Sequence, residues 1–234
     1  LSSDEILETA NTKYALAEKA EGEVRTRLFN EALSIYLSQE PKNPSGQYWY
    51  NIGNVFFYIG DYGRAIAMYR CAQLQLPRDP RVMHNLQLAI ENAGVKNLQL
   101  DRPVADTAGL RWCSSFERSL FFLGLCGMTL VAFSLNVWLP SAGFRWIWKW
   151  FFVLTICWAG LIAWYDFCIP SRAVVVQAVS LQTSPADSEG GITTLSPGEM
   201  VEILSADPKN SWVRARTVFG ITGYVSGSTL FFVT

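Results

Sequence analysis

Residues 119–144 form a run of 26 positions without one charged side chain. A helix rises ~1.5 Å per residue, so about 20 apolar residues cross a ~30 Å hydrocarbon layer. The run reads Leu120-Phe-Phe-Leu-Gly-Leu-Cys-Gly-Met-Thr-Leu-Val-Ala-Phe-Ser-Leu-Asn-Val-Trp-Leu139, and Pro140 marks its stop. A second apolar run covers 146–169; its strictly uncharged part, 150–165, is 16 residues. Lys149 is placed to snorkel at one end and Asp166 to sit at the opposite interface. With only 140–145 between them, the two runs predict a transmembrane helical hairpin whose flanks lie on one side of the membrane. The competing reading is a buried helix pair in a soluble protein, although soluble core helices rarely exceed ~20 uncharged residues.

Composition agrees once it is divided. The mean hydropathy of +0.16 conceals three zones. Residues 1–110 carry a net −2, residues 111–173 a net +3 from only seven charges, and residues 174–234 a net −2. Seven of the nine tryptophans (Trp112, Trp138, Trp146, Trp148, Trp150, Trp158, Trp164) fall in the middle zone, most of them near a span end, where indole rings favour the membrane interface. The overall net charge of −1 argues against a nucleic-acid footprint, and a 50% hydrophobic content excludes wholesale disorder. Basic residues do not fix an orientation: Arg145 and Lys149 flank the turn, while Arg111, Arg118 and Arg172 lie on the other side. The sequence begins at Leu1, which fits either a removed export signal or a shortened chain.

The N-terminal zone shows an internal repeat. Residues 46–76 resemble the tetratricopeptide pattern: Trp49, Ile52, Gly53 and Phe56 in a first helix, Gly60 and Tyr62 at the turn, Ala65, Ile66, Tyr69 and Ala72 in a second, and Pro77 as terminator. Small residues permit close helix approach and Trp49 and Tyr69 fill the gaps. Residues 29–36 echo 62–69 at an offset of 33, which puts Ala20 near the small first-helix position. A further helix over 80–93 ends at Gly94 and reads as a capping half-repeat. Such arrays bind peptides in the groove lined by first helices. The register puts Gln47, Tyr50, Asn54 and Phe57 there, followed by Arg81 and His84; the alternative for each is ordinary surface or self-packing. Asn54 stands where many of these repeats hold a bound peptide backbone, whereas Tyr50 replaces the lysine of carboxylate-clamp versions.

Residues 174–234 switch to strand periodicity. Residues 173–181 read as one strand, followed by a polar loop at 185–191, alternating strands at 199–204 and 212–218 with Arg214 and Arg216 outward, a turn at Gly220, and a strand at 223–225. The pattern Val179-Ser-Leu181, Leu195-x2-Gly198, Glu199-x-Val201-x-Ile203, Trp212-Val213-x-Ala215 and Gly223-Tyr224-Val225 resembles a bacterial SH3-like (SH3b) domain. That resemblance implies Trp212 and Tyr224 as cleft aromatics; the alternative is that both simply fill the barrel.

The expected fold is therefore multidomain: an all-α tetratricopeptide repeat array at 1–98, a linker at 99–117, transmembrane helices at 118–140 and 146–169, and a small all-β SH3-like barrel at 174–234. This order resembles the BatE-type proteins of bacterial aerotolerance (Bat) operons. The residues that carry it are Tyr50-Asn-Ile-Gly-Asn54, Gly60-Asp-Tyr-Gly-Arg-Ala-Ile66, His84-Asn-Leu86 and Ala173-Val-Val-Val-x-Ala-x-Ser-Leu181. The resemblance implies an inner-membrane protein with both soluble parts in the periplasm, working beside membrane-anchored von Willebrand A-domain proteins and a MoxR-type ATPase. An SH3b domain adds peptidoglycan as a further partner.

No nucleotide loop, dinucleotide motif or nucleophile elbow is present, so neither an enzyme nor a cofactor is expected. His84 is the only histidine. The five cysteines show no metal spacing; Cys113 and Cys168 flank the hairpin, and their placement alone raises a disulfide between them. Asp166 reads as an interfacial anchor, a proton relay needing a second buried partner.

Overall fold

The computed structural model describes residues 3–38, 44–95, 113–139, 141–168, 171–185, 191–206 and 211–233. The chain divides into two compact units, one made of Leu1–Asp101 with Pro170–Thr234 and the other of Arg102–Ile169.

In the first unit, five helices follow one another: α1 (Ser3–Lys19), α2 (Gly22–Ser38), α3 (Gly46–Ile59), α4 (Tyr62–Gln75) and α5 (Pro80–Ala93). Local signals set the limits of the last three. Ser45, Asp61 and Asp79 each accept a hydrogen bond from a first-turn amide, and Pro80 occupies the first turn of α5. Gly60 and Gly94 end α3 and α5 in the left-handed conformation, at φ 89° and 67°. Gly53 is required by packing: a Cβ there would lie 2.6 Å from the Tyr69 ring. The 33-residue echo misplaces one residue. Helix α2 begins two turns earlier than α4 does in that alignment, so Ala20 falls in the α1–α2 link, and Ala10 and Ala17 are the buried small residues of α1.

Helix α4 is buried almost all round, from Gly63 through Ala72 except Arg64. An ordinary surface helix buries one stripe. Here α3 and α5 cover two sides, and the C-terminal strands cover another.

Those strands form one antiparallel sheet of seven among the described residues, in the order β3-β2-β6-β5-β4-β1-β7. They are β1 (Arg172–Val175), β2 (Val179–Gln182), β3 (Gly191–Leu195), β4 (Met200–Ala206), β5 (Trp212–Arg216), β6 (Thr222–Ser226) and β7 (Leu230–Val233). The single strand expected at 173–181 is in fact two. β1 pairs with β4 and β7, whereas β2 pairs with β3 and β6, so the chain must bend between Val175 and Val179. Alternation alone marks neither β3 nor β7 as a strand: β3 is mostly exposed, and β7 is an unbroken apolar run.

The sheet has two apolar sides near β1. Ala173, Val175, Leu181, Val201, Val213, Ala215, Val225 and Leu230 form its own interior. Val174 and Met200 face the other way and join the helical core, with Val176, Phe231 and Val233 against it. Phe231 meets Trp49 edge-on, ring centroids 6.1 Å apart. The backbones come close at this junction: a Cβ on Gly63 would lie 2.8 Å from Pro197, and one on Gly198 2.5 Å from Ile66. The helical array and the sheet, expected as separate domains, therefore share one core.

The second unit is a helical hairpin, α6 (Ser115–Trp138) and α7 (Ala142–Cys168). Its helices are offset from the expected 118–140 and 146–169. A capping box, in which Ser114 and Glu117 bond each other's backbone amides, starts α6 inside the expected linker. The stretches Phe116–Trp138 and Arg145–Tyr165 are long and apolar enough to cross a membrane, and only 11% and 0% of their most apolar windows are buried. A soluble core helix would be mostly covered. Between the helices, Thr129 Oγ1 and Thr155 Oγ1 are 3.1 Å apart, and each also lies 2.8 Å from its own i−4 carbonyl, so one hydroxyl can donate across the hairpin while the other donates to its carbonyl. Phe121 packs on Trp158 and Phe133 on Trp148. Arg118 lies over the Tyr165 ring and Lys149 over Trp146, keeping charge at the ends of the apolar surface.

Candidate functional site

Helices α1, α3 and α5 contribute most of a connected polar network, joined by Tyr36 of α2 and Tyr69 of α4. Its centre is Asn54, which is 6% exposed. Asn54 Oδ1 accepts from Tyr69 Oη at 2.7 Å and from Asn85 Nδ2 at 2.9 Å, while its Nδ2 donates to Tyr14 Oη at 3.1 Å. Tyr14 Oη in turn donates to Glu18 Oε1 at 2.9 Å. Asn85 also donates to Tyr50 Oη at 3.1 Å. The Arg81 guanidinium lies 5.4 Å from the Tyr50 ring centroid and reaches Gln47 Oε1 at 3.5 Å. Gln47 donates to Asn51, and Asn51 and Tyr36 both donate to Asn11.

Burial drives the electrostatics of this network. It raises the phenol pKa values of Tyr14 and Tyr69 far above the usual range and pushes that of Tyr36 up to about 12. All three remain neutral donors under ordinary conditions. Arg81 donates from its side chain to Asp79 and holds that carboxyl below the usual aspartate range.

The structure thus brings Gln47, Tyr50, Asn54 and Arg81 together. Asn54 is spent on internal bonds rather than presented to a ligand. Phe57 is half-buried against Tyr62 and Tyr58 at the far end of α3, and His84 is exposed on α5. The neighbour of His84, Asn85, makes the contacts instead. Asn11, Tyr14, Asn51 and Asn85 escaped the sequence reading. Asn11 and Tyr14 lie in the repeat whose register was misplaced, and Asn85 sits one residue, about 100° of helix, from the position chosen.

On the sheet, Trp212 and Tyr224 are half-buried but not part of the interior. Val213, Ala215 and Val225 point inward, so Trp212, Arg214, Arg216 and Tyr224 stand on the outer face. In register, Arg214 opposes Tyr224, and Tyr224 opposes Gln182 of β2.

Cys71 is buried and its thiol is pushed up to about 12 by that burial, which leaves it unreactive. Cys113 is exposed, while the side chains of Cys168 and Asp166 lie outside the described residues, as does any pairing or relay through them. Among the described residues, no group of three or more His, Cys, Asp or Glu is arranged to hold a metal. Comparison with protein-family models, curated proteins and solved structures finds no match.

Proposed function

We propose that this chain is a non-catalytic, membrane-anchored scaffold. In this reading the helical array is a tetratricopeptide-type groove that captures a partner segment, the sheet is an SH3-like barrel giving a second contact, and the hairpin fixes both to the bilayer. The observation that carries it is the discontinuous soluble unit. Val174, Met200 and Phe231 share a core with α3 and α4, so the segments before and after the hairpin occupy one aqueous compartment. A hairpin that leaves and returns on one side meets that condition. On the resemblance to BatE-type proteins we assign that side to the periplasm. The same resemblance names the partners, membrane-anchored von Willebrand A-domain proteins working with a MoxR-type ATPase.

The groove is tested at its open rim, because Asn54 is needed for folding. A Gln47→Ala, Arg81→Ala, His84→Ala triple variant of the full chain, purified in neutral detergent, is expected to lose co-purification of the von Willebrand A-domain partner while still unfolding cooperatively, at a melting temperature lowered only by the loss of the Arg81–Asp79 pair. Undiminished co-purification by the triple variant contradicts the groove reading. Reporter fusions at both termini are expected to report one compartment; opposite compartments overturn the hairpin.

A second reading, an envelope sensor whose barrel contacts the cell wall, draws on the outward placement of Trp212 and Tyr224. Binding of purified peptidoglycan that Trp212→Ala abolishes would favour it. Point variants are needed, since deleting the sheet would uncover α4.

A further inference from the structure

We infer that the outer face of β5, β6 and β2 is a docking site for an acidic polypeptide segment; this rests on the reading of the sheet as a second contact and names what it contacts. Four side chains define the site. Gln182, Tyr224 and Arg214 form a row across three adjacent strands, spaced by about 4.8 Å per strand. Trp212 lies two residues before Arg214 on the same side of β5.

Their chemistry is one-sided. Arg214 is exposed and makes no ion pair, hydrogen bond or ring contact among the described residues. The Trp212 indole and the Tyr224 phenol make none either, which leaves their N–H and O–H as donors. The Gln182 carbonyl oxygen is buried without a partner, which leaves the amide nitrogen as the end that can reach a ligand. Arg216, also on this face, is paired with Glu202 at 3.8 Å, so Arg214 is the cation left without a counter-charge. An unpaired guanidinium flanked by an indole N–H and a phenol O–H fits a ligand rich in oxygen.

Charge points the same way. Residues 174–234 carry a net −2, yet two of their three basic residues, Arg214 and Arg216, stand on this face. The other outer side of the sheet, at β1 and β7, is already covered by α4. An acidic peptide supplies carboxylates to Arg214 and backbone carbonyls to Trp212 and Tyr224. A sugar would need an open ring to stack on, and Trp212 is half-covered.

The probe is a fluorescein-labelled acetyl-(Glu-Gly)6 amide, read by anisotropy against the full chain in dodecyl maltoside. Its (Gln-Gly)6 counterpart and soluble peptidoglycan fragments are run alongside. The Glu peptide is expected to bind saturably and weaken with added salt, with the Gln peptide at least about tenfold weaker. Arg214→Gln is expected to weaken the Glu peptide by about fivefold or more and Arg214→Lys by less. Arg27→Gln, on the exposed face of α2, is expected to change nothing. Melting curves check that each variant is folded. Equal affinity for both peptides, indifference to Arg214→Gln, or saturation by peptidoglycan fragments alone overturns the inference. Loss of peptide binding with groove-dependent co-purification intact would remove this site and leave the scaffold standing. The reverse result would remove the groove and leave the site.

Discussion

On the tetratricopeptide reading Asn54 would grip a passing peptide backbone, but its amide is committed to Tyr14, Tyr69 and Asn85. Removing it strands buried donors. Asn54→Ala is therefore expected to cost about 2–3 kcal/mol, and Tyr69→Phe about 1 kcal/mol. In a double-mutant cycle followed by chemical denaturation, the two should be less than additive; strict additivity would deny the network. Asp79 makes a pH-dependent contribution. Its carboxyl is more acidic in the folded chain, because Arg81 donates to it. Such a group stabilises the fold above the ordinary aspartate pKa and loses that effect as pH falls through the lowered value. The gap in melting temperature between the native chain and Asp79→Asn should be widest near neutrality and close as the pH falls below the ordinary aspartate range. A gap of equal size at both ends would contradict it. Gly53 was legible in the sequence, since a glycine in a first helix anticipates a ring lying across it. Asn85 was not, because choosing between adjacent helical positions requires knowing where the neighbouring helix lies.

At the level of elements, helices were easier to read than strands. The caps at Asp79 and Gly94 are local chemistry, so the limits of α5 could be read directly. β7 could not: Leu230-Phe-Phe-Val233 has no alternation, because one side fills the sheet and the other meets the helices. The hairpin shows a different kind of hidden information. Its apolar length is obvious, but the pairing of Thr129 with Thr155 depends on helix rotation, which length does not specify. In lipid such a bond is worth about 0.6 kcal/mol. Thr129→Val and Thr155→Val should each destabilise the hairpin by about that amount, and the double variant by little more than either alone. Reversible unfolding in bicelles measures this, and a doubled loss would mean that the hydroxyls act separately, each through its own carbonyl.

Across the whole molecule, the segments before and after the hairpin form one compact unit interrupted by an apolar insertion. Phe231→Ala should therefore lower the stability of the helices as well as the sheet, by about 3 kcal/mol if the cavity does not collapse. Hydrogen exchange reads this directly, as faster exchange of α4 amides; an effect confined to the strands would make the segments independent. Gly63→Val should act similarly, since Pro197 and the Val176 carbonyl leave no room for a side chain. Sequence zones could not reveal this union. Val174 and Met200 look like ordinary strand residues, and nothing local marks the side that faces another element.

The union also imposes an order on synthesis. Helix α4 is complete at Gln75, but β1, the first strand to cover it, starts at Arg172. Elongation at about 5–20 residues per second leaves an interval of roughly 5–20 s in which the apolar flank of α4 has emerged and its cover has not. On the membrane-anchored reading proposed above, the hairpin is delivered to the bilayer during that interval. A nascent chain stalled before residue 172 would leave the apolar flank of α4 without the strands that cover it.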